Sequence, residues 1–97
     1  MLAIVKRMRA RYTYTALAEL GEIFSFIAKY NPIAASAVVR EIEGLVLRLL
    51  SFPYMGRPKY REGIRMMPLG KYSFLVFYTV ENETVWIVSF RHTKRKN

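Results

Sequence analysis

The chain has no cysteine in its 97 residues, so neither a disulfide nor a thiolate metal site can hold it together. This fits a reducing compartment, and a cytoplasmic protein is expected. A single histidine, His92, rules out a histidine-based metal cluster. A glycine-rich phosphate loop is missing as well, because "GRPKYREG" lacks the strand–loop–helix setting such a loop needs. Acids are scarce. Of the seven, Glu41 and Glu43 lie two apart on a helix-like segment and face different ways, which speaks against a paired-carboxylate site. No cofactor is expected. The most apolar helical stretch, Leu45 to Leu50, is interrupted by Arg48 and falls far short of the ~20 residues that span a bilayer. "MLAIVKRMRARY" is too short and too basic for a signal peptide.

What is present is one domain's worth of apolar residues, 53%, and a net charge of +9. The expected unit is a single domain over residues 1–97, with a core from about 12 to 92 and a basic tail at 93–97. The cations cluster in three places: Lys6, Arg7, Arg9 and Arg11 near the start; Arg57, Lys59, Arg61 and Arg65 in a central loop; Arg91, Lys94, Arg95 and Lys96 at the end. The helix-like segments between them are balanced by Glu19, Glu22, Glu41 and Glu43. Cationic ends and a cationic loop around a neutral body imply an anionic partner, either nucleic acid or an acidic protein.

Residues 2–12 begin β-branched and alternate weakly, which predicts an opening strand. Thr13 reads as a helix N-cap, followed by a stripe of Leu17, Leu20, Phe24 and Ile27 that Ala16 and Ile23 widen. The helix should end at "KYNP". Asn31 caps a second helix with Pro32 in its first position, and the short connection forces an antiparallel hairpin. Ala35, Val38, Ile42, Leu45, Val46 and Leu49 form the second buried stripe. Val39 and Leu47 fall off it, either as ordinary exposed apolar residues or as a strip for a partner. After a loop rich in proline and glycine, where Gly56 is expected to supply a backbone angle other residues resist, "IRMMPL" reads as a short strand. "SFLVFYTV" is almost wholly apolar and predicts a strand buried on both faces. "ENE" is a turn. In the last strand, "TVWIVSFRH", Val85 and Ile87 should point one way and Trp86, Val88 and Phe90 the other. The fold class is α+β, a helical hairpin on a small, mostly antiparallel sheet in the order β-α-α-β-β-β.

Several stretches resemble one family. "TYTALAELGEIFSFIAKYNPIAA" is similar to the first helix and turn of the ParE toxins of the RelE/ParE superfamily, with a threonine, A-x-x-[DE]-L and an N-P-x-A-A turn. "LLSFPYMGRPKYREGIRMMPL" resembles their L-x-x-x-P-x-x-G-R followed by G-x-R-x-[LM]. "KYSFLVFYTVENETVWIVSFRHTKR" resembles their last hairpin, which runs into H-x-x-R. The likeness covers about residues 12–95.

The resemblance implies a toxin of a type II toxin–antitoxin system, held in a hetero-oligomer by an acidic antitoxin. Two activities occur in the superfamily. Nuclease members cut messenger RNA in the ribosome, and the strand matching 73–80 then carries an arginine three residues before its tyrosine. Here that tyrosine is Tyr78 and the residue three before it is Leu75. A tyrosine after the basic end of the last strand is also lacking in "RHTKRKN". The resemblance thus implies the other activity, binding DNA gyrase and trapping its cleaved DNA complex without chemistry. Target-contacting candidates are Arg57, Arg65, Lys71, Arg91, His92, Lys94 and Arg95. If the protein is instead a nuclease, His92, Arg65 and Arg57 are the candidates for proton transfer and phosphate stabilisation. Arg57 has a structural alternative, bonding helix-end carbonyls or a carboxylate such as Glu62. Val39, Leu47 and any open sheet edge are the expected antitoxin docking points.

Overall fold

The computed structural model describes residues 7–59 and 63–93. Its elements are β1 (Arg9–Tyr12), α1 (Tyr14–Tyr30), α2 (Pro32–Ser51), β2 (Arg57–Pro58), β3 (Arg65–Pro68), β4 (Phe74–Glu81) and β5 (Thr84–His92). They build one sheet in the order β1-β5-β4-β3-β2. Neighbours are antiparallel except β1, which runs parallel to β5. The two helices cover one face. β2 adds a two-residue strand that the sequence pattern did not announce. Of the expected opening strand, residues 2–6 lie outside the described residues.

Local chemistry explains where the helices stop. Thr13 accepts from the Ala16 amide at 3.0 Å and so satisfies one of the unpaired donors of the first turn of α1. Asn31 works for both helices: its N–H donates to the Ile27 carbonyl at 2.8 Å, and its side chain accepts from Ala34 N at 3.1 Å. Pro32, first in α2, has no N–H to leave unpaired there.

Packing follows the second predicted stripe residue for residue: Ala35, Val38, Ile42, Leu45, Val46 and Leu49 are the buried positions of α2. In α1 the stripe is rotated from expectation. Ala16 is buried and Leu20, Ile23 and Ile27 pack against the core, whereas Leu17 and Phe24 are 50% and 41% exposed. The small Ala16 lets α1 approach closely, and its apolar arc is wider than the surface below it. Val76, Tyr78, Val85, Ile87 and Phe90 complete the core from the sheet. Burying each large aliphatic side chain stabilises by roughly 1.5–3 kcal/mol, so this contiguous cluster dominates the fold's stability.

Phe90 was expected opposite Ile87, but both face the core. A bulge is the reason. Phe77 pairs with Ser89 and Tyr78 with Ile87, so Val88 is an extra residue that resets the alternation. The carbonyls and amide of this irregular stretch are taken up locally. Thr13 N–H donates to Ile87 O at 3.0 Å, Thr13 Oγ1 to Val88 O at 2.8 Å, and Phe90 N–H to Glu19 Oε1 at 2.8 Å. The N-terminal part of α1 therefore seals the edge of β5 beyond the end of β1. The "ENE" turn forms as read, with Asn82 and Glu83 at φ 48° and 63°, the left-handed geometry of a two-residue hairpin.

Candidate functional site

The loop between α2 and β3 is fixed from beneath by one phenol. Tyr78, fully buried on β4, donates to Pro53 O and accepts from Gly56 N–H, both at 2.8 Å. Gly56 is needed for this approach and not for its backbone angle, because positive-φ glycines among the described residues are Gly63 and Gly70. A Cβ on Gly56 would lie 2.5 Å from the Tyr78 hydroxyl oxygen. Arg65 closes the loop from the side. Its Nη1 donates to Gly56 O at 2.7 Å and to Tyr54 O at 3.1 Å, and its guanidinium lies 5.2 Å from the Tyr54 ring centroid. Burial raises the Tyr78 pKa, while the Gly56 N–H bond and the charge of Arg65 oppose the rise.

The remaining candidates are spread over both faces of the sheet. Arg65 pairs with Tyr78 and shares its inner face. Arg57 pairs with Met66, next to the Pro58–Arg65 pair, and so lies on the outer face, exposed. Its suggested partner Glu62 lies outside the described residues. Arg91 is also outward, its guanidinium 5.8 Å from the Phe77 ring centroid. His92 is inward, edge-on to Phe74 at 5.1 Å, and helps line a recess with Glu22, Ile23, Phe26 and Ile27. Lys71 is exposed in the turn before β4, 5.9 Å from the ring centroid of Tyr72. Lys94 and Arg95 lie outside the described residues. On α2, Leu47 is 65% exposed and Val39 is half-buried.

Among the described residues, His92 and Arg65 are not brought together. His92 is paired with Phe74 and Arg65 with Tyr78. Four residues separate those positions on β4, roughly 13 Å along the strand, and Arg65 and His92 stand on opposite sides of it. General acid–base catalysis needs its groups within hydrogen-bond reach of one reacting centre. Among the described residues, no group of three or more histidine and acidic side chains is placed to hold a metal ion. None of the helices there is long and apolar enough to cross a membrane.

The sequence reading missed the Tyr78–Gly56–Arg65 latch, whose parts lie too far apart in the chain to announce one another. The apolar run of β4, read as buried on both faces, is so at its centre, where Val76, Phe77 and Tyr78 are buried.

The fold resembles those of two chains solved from toxin–antitoxin systems. It superposes on a chain of the chromosomal ParDE toxin–antitoxin system from P. aeruginosa with a TM-score of 0.79 at 22% identity, covering 93% of this chain and 100% of that one. It also matches a chain of the RelBE2 toxin–antitoxin complex from Mycobacterium tuberculosis with a TM-score of 0.58 at 24% identity, covering 89% and 91%. Sequence then narrows the class. The family model for the ParE toxin of the type II toxin–antitoxin system parDE matches residues 10–97. A Sinorhizobium fredii (strain NBRC 101917 / NGR234) protein named "Putative toxin Y4kP" is 32% identical over 92 residues, 95% of each chain. The chain belongs to the ParE toxin family.

Proposed function

We propose that this toxin acts by binding and not by chemistry: it engages DNA gyrase, traps the cleaved DNA complex, and is neutralised in the cytoplasm by an acidic antitoxin in a hetero-oligomer. The observation that carries the reading is the engagement of Arg65. Its guanidinium is bound to two loop carbonyls and stacked on Tyr54, while Leu75 stands where a nuclease would carry its arginine. A guanidinium already satisfied by fixed carbonyls is poorly available to stabilise a phosphate in a transition state.

Exposed cations are the natural contacts to gyrase or its DNA, with Arg57, Lys71 and Arg91 leading and His92, Lys94 and Arg95 the further candidates from the sequence. Arg65 contributes by holding the loop that carries Arg57. Leu47 and Val39 offer the antitoxin apolar contact on the hairpin. The net charge of +9 suits an acidic antitoxin.

The test runs purified protein in a gyrase supercoiling assay beside an in vitro translation reaction. Inhibited supercoiling with accumulated cleaved DNA is expected. Cleaved message with untouched supercoiling would favour a ribosome-dependent nuclease, a reading that the likeness to the RelBE2 chain keeps in view. Normal growth on expression without a partner, with soluble protein present, would leave a non-toxic binding module.

A further inference from the structure

Where the chain leaves the edge strand β1 for α1, it borders a cleft of about 550 Å³ lined by Arg11, Tyr12, Thr13, Tyr14, Leu17 and Trp86. The cleft is separate from the Tyr78 latch and holds none of the target-contacting candidates named above. Three of its residues carry aromatic rings, and among the described residues no carboxylate lines it. Val85 and Ile87 are buried in the core, so Trp86 between them faces outward, where register sets it beside Arg11. The indole is half-buried. Its N–H has no hydrogen-bond partner among the described residues, and no side-chain donor there is both buried and unpaired, so this edge of the ring meets solvent. Arg11 is exposed, with no side-chain hydrogen bond, ion pair or ring contact among the described residues. Tyr14, the first residue of α1, is 92% exposed, and Leu17 one turn later is half exposed. Tyr12 packs inward against the core. A single tyrosine in water is ordinary. This one shares a cleft with the chain's single tryptophan and an unengaged guanidinium.

We propose that this cleft takes one unstacked base of single-stranded DNA, stacked on the Tyr14 ring, with the Trp86 N–H toward its polar edge and Arg11 on its phosphate. The inference rests on the reading above, in which the toxin holds a cleaved DNA complex, and names the part of the DNA that the chain touches. An open ring face beside a cation is the chemistry that holds single strands, because every base has a flat π surface and every nucleotide a negative charge. The indole N–H is a donor only, so it suits a base carbonyl or ring nitrogen. A volume of about 550 Å³ lies within the ~300–1,000 Å³ of small-ligand sites, which suits one base with its sugar. Intact duplex fits less well, since its bases stack on one another and offer no face to Tyr14.

The probes are an oligodeoxythymidylate of about 10 nucleotides, a strand of equal length made of abasic residues, and an oligouridylate of that length. The abasic strand keeps the phosphates and so measures the plain attraction of a +9 chain. Each labelled strand is titrated with the full chain by fluorescence anisotropy, and the emission of Trp86, the single tryptophan, is followed in parallel. The thymidylate should bind about tenfold more tightly than the abasic strand and quench Trp86 saturably, while the abasic strand leaves the emission unchanged. Tyr14→Ala removes a side chain that stands outside the core and should cut the preference to about twofold or less. Tyr30→Ala, the same residue type exposed at the other end of α1, should keep it. Arg11→Gln should weaken both DNA strands alike and lower the salt slope by roughly 0.7, the share of one phosphate contact. Equal binding of thymidylate and abasic strand, equal loss in Tyr14→Ala and Tyr30→Ala, or uridylate binding about tenfold above thymidylate would overturn the proposal. No base preference together with inhibited supercoiling would remove this site and leave the gyrase reading standing, so the two fail separately.

Discussion

Replacing Tyr78 with phenylalanine removes one oxygen atom and two hydrogen bonds while keeping the ring in the core. The Gly56 N–H that donated to it is buried and loses its acceptor. Leaving such a group unpaired costs ~1–3 kcal/mol. The Pro53 carbonyl is only partly buried and can recover water, so its loss adds ~0.5–1.5 kcal/mol. Together the expected destabilisation is about 2–4 kcal/mol, a large share of the ~5–15 kcal/mol of a domain this size. For fewer than about 100 residues each kcal/mol moves the melting midpoint by ~4–8 °C, so a fall of about 8–30 °C is expected. Thermal denaturation followed by circular dichroism measures it. Tyr54→Phe is the control. That side chain is 63% exposed and gives the latch its carbonyl and ring face, both of which phenylalanine keeps, so a change within ~0.5 kcal/mol is expected. If Tyr78→Phe melts within about 2 °C of the parent, or no lower than Tyr54→Phe, the latch does not hold the loop and the reasoning fails.

Thr13→Ala should cost ~1–2 kcal/mol, since the hydroxyl both caps α1 and donates to the bulge carbonyl of Val88; Thr13→Ser should recover most of it in a urea titration. Alkali should destabilise the fold from pH ~10 upward. Burial raises the Tyr78 pKa, and burial with the nearby charge of Glu43 raises that of Tyr12 above the ordinary 10.0. The folded state holds these protons more tightly than the unfolded chain, so the stabilisation is complete below the unfolded value and is lost as pH climbs through the raised ones. Urea midpoints between about pH 8.5 and 11 should decline, and Tyr78→Phe should shallow the decline. A midpoint flat over that range would contradict both shifts.

How much was legible from the sequence depended on how local the governing interaction is. The caps at Thr13 and Asn31 and the α2 stripe were readable because each is set by neighbours within four residues. The α1 stripe was not, since its apolar arc covers both Leu17–Phe24 and Ala16–Ile23 and only the surface beneath selects between them. Phe90 was assigned to the wrong face because strict alternation has no place for the extra residue at Val88, which needs β4 and Thr13 to exist. Gly56 was marked as special for a reason that proved incorrect: the constraint is a phenol that arrives from 22 positions later in the chain. The candidate site suffered from the same limit. Arg57, Arg65, Arg91 and His92 were all found by type, but whether a side chain faces the core or the outside depends on register, which composition does not carry.

That distribution of cations bears directly on mechanism. A nuclease centre requires convergent groups, and register disperses these candidates over two faces and several strands. A binding surface has no such requirement, because phosphate or carboxylate attraction adds over exposed charges that need only share a face. Arg9, Arg11, Arg57 and Arg91 share one, while the inward Arg65 holds the loop behind it. For Arg65 to stabilise a phosphate it would have to leave Gly56 and Tyr54, which would loosen the loop before Arg57. The same residue cannot fully serve both tasks, and in this chain its bonds are to the loop.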